Sequence, residues 1–131
     1  MDATAIESVL SRHGVRYVVI GAFAAIAQQA PIDPTRDIDL TPEASAENLK
    51  RLSDALKELG ARIRTDDVVG GLPFDHDAAS LGRASMWNLI CEDGEFDISF
   101  HPEGFEGGYP DLVARAHRVL VGGVEVVVAA G

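Results

Sequence analysis

The most informative segment of the chain reads TRDIDL and spans residues 35–40. We predict a short strand from Asp37 to Leu40, in which Asp37 and Asp39 point to one face and Ile38 to the other. Two carboxylates about 7 Å apart on one face repel each other unless a cation lies between them. The spacing therefore suits one or two magnesium ions. Solvent-facing acids at a strand end are the alternative that this pattern alone leaves open.

A third acidic residue lies in a second predicted strand, at residues 95–100. Phe96 and Ile98 would line the apolar face of this strand, and Asp97 would lie on the other face. If Asp97 joins the first two acids, three carboxylates could hold two metals about 4 Å apart, an arrangement used for in-line phosphoryl or nucleotidyl transfer. The alternative interpretation is a solvated residue on an open sheet face.

Two features flank the acid pair. A buried strand predicted at residues 15–20 ends at Gly21, before a small-residue helix predicted at residues 22–29. A glycine here lets backbone N–H groups approach a phosphate, although a tight strand-to-helix turn needs glycine equally. Arg36, which directly precedes the pair, could contact a phosphate or form a salt bridge with neighbouring acids.

The remaining elements indicate the fold class. An amphipathic helix from Ser45 to Leu59 carries a leucine stripe and is capped by Gly60. We also predict helices at residues 2–13 and 110–116, a strand at 61–64, a loop at 66–84, and hairpins that join 86–91 to 95–100 around Asp93-Gly94 and 118–121 to 124–128. Interleaved helices and strands with late hairpins predict an α+β fold, a mixed β-sheet with helices packed against it, in one domain at residues 1–131.

Composition excludes several classes of protein. The net charge of -10 opposes passive binding to a phosphate backbone, so a polyanionic substrate would need a local cation. No apolar run approaches the roughly 20 residues of a membrane span, and the N-terminus does not resemble a signal peptide. With a single cysteine, Cys91, these features favour a cytoplasmic protein that is not bound to a membrane. Neither a P-loop nor a GxGxxG pattern is present, which disfavours common ATPase and dinucleotide-binding folds.

Taken together, these motifs resemble the DNA polymerase beta-like nucleotidyltransferase superfamily. The segments that carry the resemblance are the strand ending in Gly21-Ala22, residues 35–40, and Phe96-Asp97-Ile98, with further similarity at residues 72–75, 87–89 and 94–97. The small prokaryotic minimal-nucleotidyltransferase and AbiEii-like proteins, many linked to toxin–antitoxin systems, are the most similar group. The resemblance spans residues 15–128 and implies a nucleotidyltransferase-like fold that transfers a nucleoside monophosphate from an NTP donor to a hydroxyl acceptor on a protein, a tRNA or a small molecule.

The resemblance also implies roles for individual residues. Asp37, Asp39 and Asp97 would be catalytic ligands of Mg²⁺ or Mn²⁺, with Asp97 also taking the proton of the acceptor hydroxyl. Gly21 and Ala22 would face the triphosphate, and Arg36 is the further candidate for nucleotide binding.

Two departures from the family pattern support an alternative hypothesis. The family usually has Ser or Gly where this chain has Ala22, and relatives continue beyond the position of Gly131 into a basic helix. The chain would then be a shortened or naturally minimal form. The alternative is a catalytically inactive nucleotidyltransferase-fold module, a binding or regulatory partner in a toxin–antitoxin pair. A third hypothesis is an antibiotic-modifying nucleotidyltransferase, which would normally need an additional substrate-binding region. The strand edges of so small a sheet also predict a homodimer or a heteromer.

Three other features have a structural and a functional interpretation. Trp87 is expected in the core, with stacking on a base as the alternative. Residues 75–77 are expected to form a polar loop rather than supply metal ligands. Cys91, which lacks a CxxC partner, is expected to be a buried hydrophobic residue.

Overall fold

The computed structural model describes residues 3–20, 38–102, 107–114, 116–121 and 124–129. Within these ranges the helices are α1 (Ala3–Arg12), α2 (Ala46–Leu59), α3 (Ala78–Leu81) and α4 (Tyr109–Val113). The strands are β1 (Tyr17–Ile20), β2 (Ile38–Pro42), β3 (Arg62–Ile63), β4 (Met86–Cys91), β5 (Gly94–Ser99), β6 (Ala116–Val121) and β7 (Val124–Ala129). The helix predicted at residues 22–29 lies outside the described residues.

The strands form one mixed sheet in the order β3-β4-β5-β2-β1-β7-β6. Two neighbouring pairs, β2 with β5 and β1 with β7, are parallel, and the other pairs are antiparallel. This arrangement confirms the predicted α+β fold with a mixed sheet. Its central strands come from distant parts of the chain, so residues far apart in sequence become neighbours.

Helix α2 follows the signals in its sequence closely. The hydroxyl of Ser45 accepts a hydrogen bond from the backbone N–H of Asn48, and Gly60 ends the helix with a φ of 66°. Leu49, Leu52 and Leu56 are buried at helical spacing. The leucine spacing, the N-cap at Ser45 and the C-cap at Gly60 therefore all predict the helix that the structure shows.

The main core lies between one face of the sheet and helices α1 and α2. The strand residues that enter it alternate along β2 and β5, and they are Ile38, Leu40, Phe96 and Ile98, each at most 1% exposed. On the other face, Leu112 of α4 packs against Val18 of β1. Residues between the buried ones in β2 and β5 therefore face away from the main core.

Besides shifts of one or two residues at the ends of other elements, the structure differs from the predicted elements in three places. Helix α3 lies inside the predicted loop; it is too short to show a hydrophobic period, and a capping box between Asp77 and Ser80 begins it. The first hairpin turns at Glu92 and Asp93, since Cys91 pairs with Gly94. Helix α4 begins at Tyr109 and ends at Val113, before the predicted end. No helix in the described ranges is long and apolar enough to cross a membrane.

Candidate active site

A row of polar side chains crosses adjacent strands of the sheet. The strand register places Asp39 of β2 opposite Asp97 of β5, and Asp97 opposite Asn88 of β4. Residues directly opposite each other in neighbouring strands share a face of the sheet. On the other side of Asp39, the register places Ile20 at the end of β1. The two predicted metal ligands of the described region therefore lie side by side.

This row lies on the face away from the main core. The neighbours of Asp39 and Asp97 along each strand are buried against α1 and α2, whereas the two aspartates are half-buried. Asn88 is exposed, and Ile20 packs near Leu112 under α4. The two carboxylates thus lie beside an apolar patch, and both are only partly exposed to solvent.

Arg64 continues the row beyond Asn88. Its backbone N–H donates to the carbonyl of Asn88 at 2.9 Å. Its guanidinium donates from Nη2 to Oδ1 of Asp97 at 2.7 Å and from Nη1 to Oε2 of Glu95 at 3.3 Å. Sequence reasoning did not select Arg64. The alternation of Arg62, Ile63 and Arg64 in the predicted strand was the available signal, because a core-facing Ile63 directs Arg64 to the opposite face.

The other predicted site residues lie outside the described residues. They are Gly21, Ala22, Arg36 and Asp37. Their neighbours in sequence are described: Ile20 pairs with Asp39, and Ile38 pairs with Phe96. The roles expected of these four residues remain predictions.

The donor set of the row suits a hard divalent cation. Carboxylate oxygens are the ligands that Mg²⁺ takes in proteins, and neighbouring strands hold Asp39 and Asp97 roughly 5 Å apart. Among the described residues, the guanidinium of Arg64 already contacts the carboxylate of Asp97. Among the described residues no group of three or more His, Cys, Asp or Glu side chains is arranged to hold a metal ion. The described part of the chain therefore supplies two of the three predicted ligands, and these two fit the cation.

Comparison with known proteins identifies the family. A family profile described as aminoglycoside-2''-adenylyltransferase matches residues 2–122. The chain belongs to this family. The fold is similar to that of a candidate nucleotidyltransferase from Thermotoga maritima, with a TM-score of 0.58 and 17% identity over 97% of this chain and 74% of that chain. No curated protein sequence matches the chain.

Membership of the aminoglycoside-2''-adenylyltransferase family and the shared fold confirm the predicted resemblance to small members of the nucleotidyltransferase superfamily. At 17% identity the similarity to the Thermotoga maritima structure concerns the fold alone.

Trp87 lies on the opposite face from the candidate site. Its indole Nε1 donates to the carbonyl of Leu81 at 3.0 Å, and its ring stacks on Phe74 with the ring centroids 5.6 Å apart. The side chain packs against the main core. The structural interpretation of Trp87 is therefore confirmed.

His76 and Cys91 also have structural contacts outside the candidate site. In the predicted polar loop, Nδ1 of His76 lies 2.7 Å from Oγ of Ser53, and burial lowers the pKa of His76. Cys91 is half-buried against the core, and this burial raises the pKa of its thiol. Neither feature belongs to the row of Asp39 and Asp97.

Proposed function

We propose that this chain transfers a nucleoside monophosphate from an NTP to a hydroxyl acceptor in a reaction that depends on Mg²⁺ or Mn²⁺. The observation that carries the proposal is the in-register pairing of Asp39 with Asp97 on an accessible face of the sheet. Membership of a nucleotidyltransferase family supports it.

Each acidic residue has a proposed role in the reaction. Asp39 and Asp97, with Asp37, supply carboxylate oxygens; a bound divalent cation would offset the charge that develops on the α-phosphate. Asp97 accepts the proton of the acceptor hydroxyl while that oxygen bonds to the α-phosphorus. The bond from the α-phosphorus to the bridging oxygen breaks, and pyrophosphate leaves with both electrons. Backbone N–H groups at Gly21 and Ala22, with the side chain of Arg36, would hold the triphosphate.

For the acceptor, we propose a cationic, hydroxyl-rich small molecule of the aminoglycoside class. The description of the family supports this class. The net charge of -10 supports it as well, because an acidic protein attracts a polycation and repels a tRNA end.

The test is a transfer assay with α-³²P-labelled NTPs, Mg²⁺ or Mn²⁺, and separate acceptors: an aminoglycoside, tRNA and a protein substrate. We expect labelled aminoglycoside and released pyrophosphate. Asp37→Asn, Asp39→Asn and Asp97→Asn should each lower the rate at least about a hundredfold. Asp54→Asn, which removes an exposed carboxylate from α2 on the other face of the sheet, should leave the rate unchanged.

Three outcomes would count against the proposal. Undiminished transfer by the Asp97→Asn variant would exclude the proposed mechanism. Label on tRNA or protein instead of the aminoglycoside would exclude the proposed acceptor. If the wild type transfers nothing to any acceptor, the non-catalytic binding module becomes the better account.

A further inference from the structure

Arg64 reaches the candidate site from two strands away. In the sheet order, β4 separates β3 from β5. The backbone N–H of Arg64 binds the carbonyl of Asn88, so Arg64 lies opposite Asn88 and extends the end of β3. Two strand spacings amount to about 10 Å, which only a long side chain can cross. The guanidinium spans this distance and lies against Asp97.

Among the described residues, this guanidinium contacts two carboxylates of β5. Nη2 lies 2.7 Å from Oδ1 of Asp97, and Nη1 lies 3.3 Å from Oε2 of Glu95. The side chains of Arg64 and Asp97 are only 25% and 21% exposed. Partial burial makes a charge-assisted hydrogen bond stronger than an exposed salt bridge. The pair is therefore more than a transient surface contact.

We propose that Arg64 is a positioning residue that couples metal binding to nucleotide binding at this site. The inference rests on the proposed function, because it takes Asp97 as a metal ligand. Arg64 engages an oxygen of the carboxylate that a divalent cation would need, and its positive charge repels that cation. A divalent cation without nucleotide must therefore share Asp97 with Arg64 or displace it.

A bound nucleotide changes this balance. The triphosphate adds negative oxygens beside the carboxylates, and these can bind both the cation and the guanidinium. The repulsion between the two cations is then offset by the phosphates. Cation and nucleotide should thus bind more tightly together than separately, and the coupling is reciprocal by thermodynamic necessity.

Arg62 provides a matched control for the charge of Arg64. It is exposed and lies on the same strand and the same sheet face, two residues earlier. Among the described residues it forms no ion pair. Arg62→Gln therefore removes one positive charge from this face and leaves the contact with Asp97 intact.

The experiment is a titration of the full chain with Mn²⁺, followed by the electron paramagnetic resonance signal of the free ion. It is run without nucleotide and with an α,β-methylene analogue of ATP. Without nucleotide, Arg64→Gln should bind Mn²⁺ roughly tenfold more tightly than the wild type, since a competing charge-assisted contact is lost. Arg64→Lys and Arg62→Gln should stay within about twofold of the wild type. With the analogue, the advantage of Arg64→Gln should disappear.

The inference is overturned if Arg64→Gln binds Mn²⁺ no more tightly than the wild type, if Arg62→Gln shifts the affinity equally, or if the advantage persists with the analogue. Thermal unfolding of each variant verifies that it is folded, and Arg64→Lys keeps the charge if the glutamine variant is unstable. The titration needs neither turnover nor acceptor. If the predicted shift is seen but the wild type transfers nothing, the proposed function fails and the coupling stands.

Discussion

Asp39 in β2 and Asp97 in β5 lie directly opposite each other in a parallel strand pair. The pairs on either side, Ile38 with Phe96 and Leu40 with Ile98, bury their side chains in the core. A slip of one residue would move these apolar side chains to solvent, so core packing specifies the register. The same packing that stabilises the sheet therefore brings the two carboxylates together.

The contact between Arg64 and Asp97 should be measurable in the stability of the protein. A double-mutant cycle with Arg64→Gln and Asp97→Asn should give a coupling free energy of about 1 kcal/mol, which falls as NaCl is raised. Urea unfolding measures it. The exposed pair of Glu47 and Arg51 on α2 is the control and should couple by only about 0.3 kcal/mol. Equal coupling free energies for the two pairs would show that partial burial does not strengthen the contact between Arg64 and Asp97.

Two glycines with positive φ should respond differently to alanine. Gly60 has a φ of 66° and nothing within 4 Å of an added Cβ, so Gly60→Ala should cost about 1 kcal/mol in backbone strain alone. Gly71 has a φ of 85°, and its Cβ would lie 2.7 Å from the carbonyl oxygen of Ile63. Gly71→Ala should therefore cost on the order of 2 kcal/mol or more, because the neighbouring backbone must move.

Gly71→Ala should also perturb the candidate site. Ile63 exchanges two backbone hydrogen bonds with Leu72, and Arg64 follows Ile63. We expect Gly71→Ala, but not Gly60→Ala, to lower the transfer rate in the labelled-NTP assay. Equal free energies of unfolding for the two variants in urea would contradict the steric argument.

A buried carboxyl group should make the stability depend on pH. Glu7 of α1 is fully buried; its Oε2 accepts a hydrogen bond from the hydroxyl of Tyr17, and its Oε1 has no hydrogen-bond partner within the described part of the chain. Burial raises the pKa of Glu7 from 4.5 to about 7, although the bond from Tyr17 opposes this. Burial and the nearby carboxylate also raise the pKa of Tyr17. The folded state therefore favours the protonated acid.

The sign of the pH effect follows from these values. Below pH 4.5 Glu7 is protonated in both states; as the pH rises, the unfolded state ionises first. The contribution of Glu7 to stability is thus lost as the pH rises through about 7. The total loss is about 3 kcal/mol. Urea unfolding between pH 4 and 8 should show this loss in the wild type and not in Glu7→Gln.

Glu58→Gln provides a control of opposite sign. Hydrogen bonds from Arg12 and His13 lower the pKa of the exposed Glu58. Its contribution is therefore present above its unfolded pKa and lost as the pH falls. If Glu7→Gln keeps the full pH dependence of the wild type, the buried carboxyl group is not its source.

Asn48 should be one of the most sensitive polar residues. It is 2% exposed. Its Oδ1 accepts from the backbone N–H of Arg16 at 2.7 Å, and its Nδ2 donates to the carbonyls of Arg16 and Glu43 at 2.9 and 2.7 Å. Asn48→Asp keeps the acceptor but loses both donors, so it should cost about 3 kcal/mol in urea unfolding. Ser45→Ala, which removes the helix cap and an exposed hydrogen bond to Glu43, should cost about 1 kcal/mol. Equal costs would contradict the role of Asn48 as a link between α2 and the strands.

The elements that sequence analysis located well are those whose signals are local. The leucine spacing of α2, the cap at Ser45 and Gly60 are read within a few residues, and the helix lies where they indicate. The alternation in β2 and β5 likewise assigned Ile38 and Phe96 to the core. Helix α3 was missed because four residues are too few to show a period.

Features that depend on distant residues were not predictable in this way. The three carboxylates were proposed to converge through a family resemblance, while the alternation showed only which face each would occupy. The adjacency of Asp39 and Asp97 depends on β5 pairing with β2, and the contact of Arg64 depends on β3 lying two strands from β5. The link through Asn48 and the burial of Glu7 against Tyr17 are of the same kind.

Residues 35–40, TRDIDL, show which properties are local in sequence and which depend on the tertiary structure. The alternation of acidic and apolar residues already assigns Ile38 and Asp39 to opposite faces, because side-chain direction in a strand is a local property of the backbone. Which charges lie beside Asp39 is a property of strand pairing, and pairing minimises the free energy of the whole core rather than of any one segment. The neighbours of Asp39 and Asp97, and with them the competition of Arg64 for the cation, therefore emerge only when the sheet is assembled.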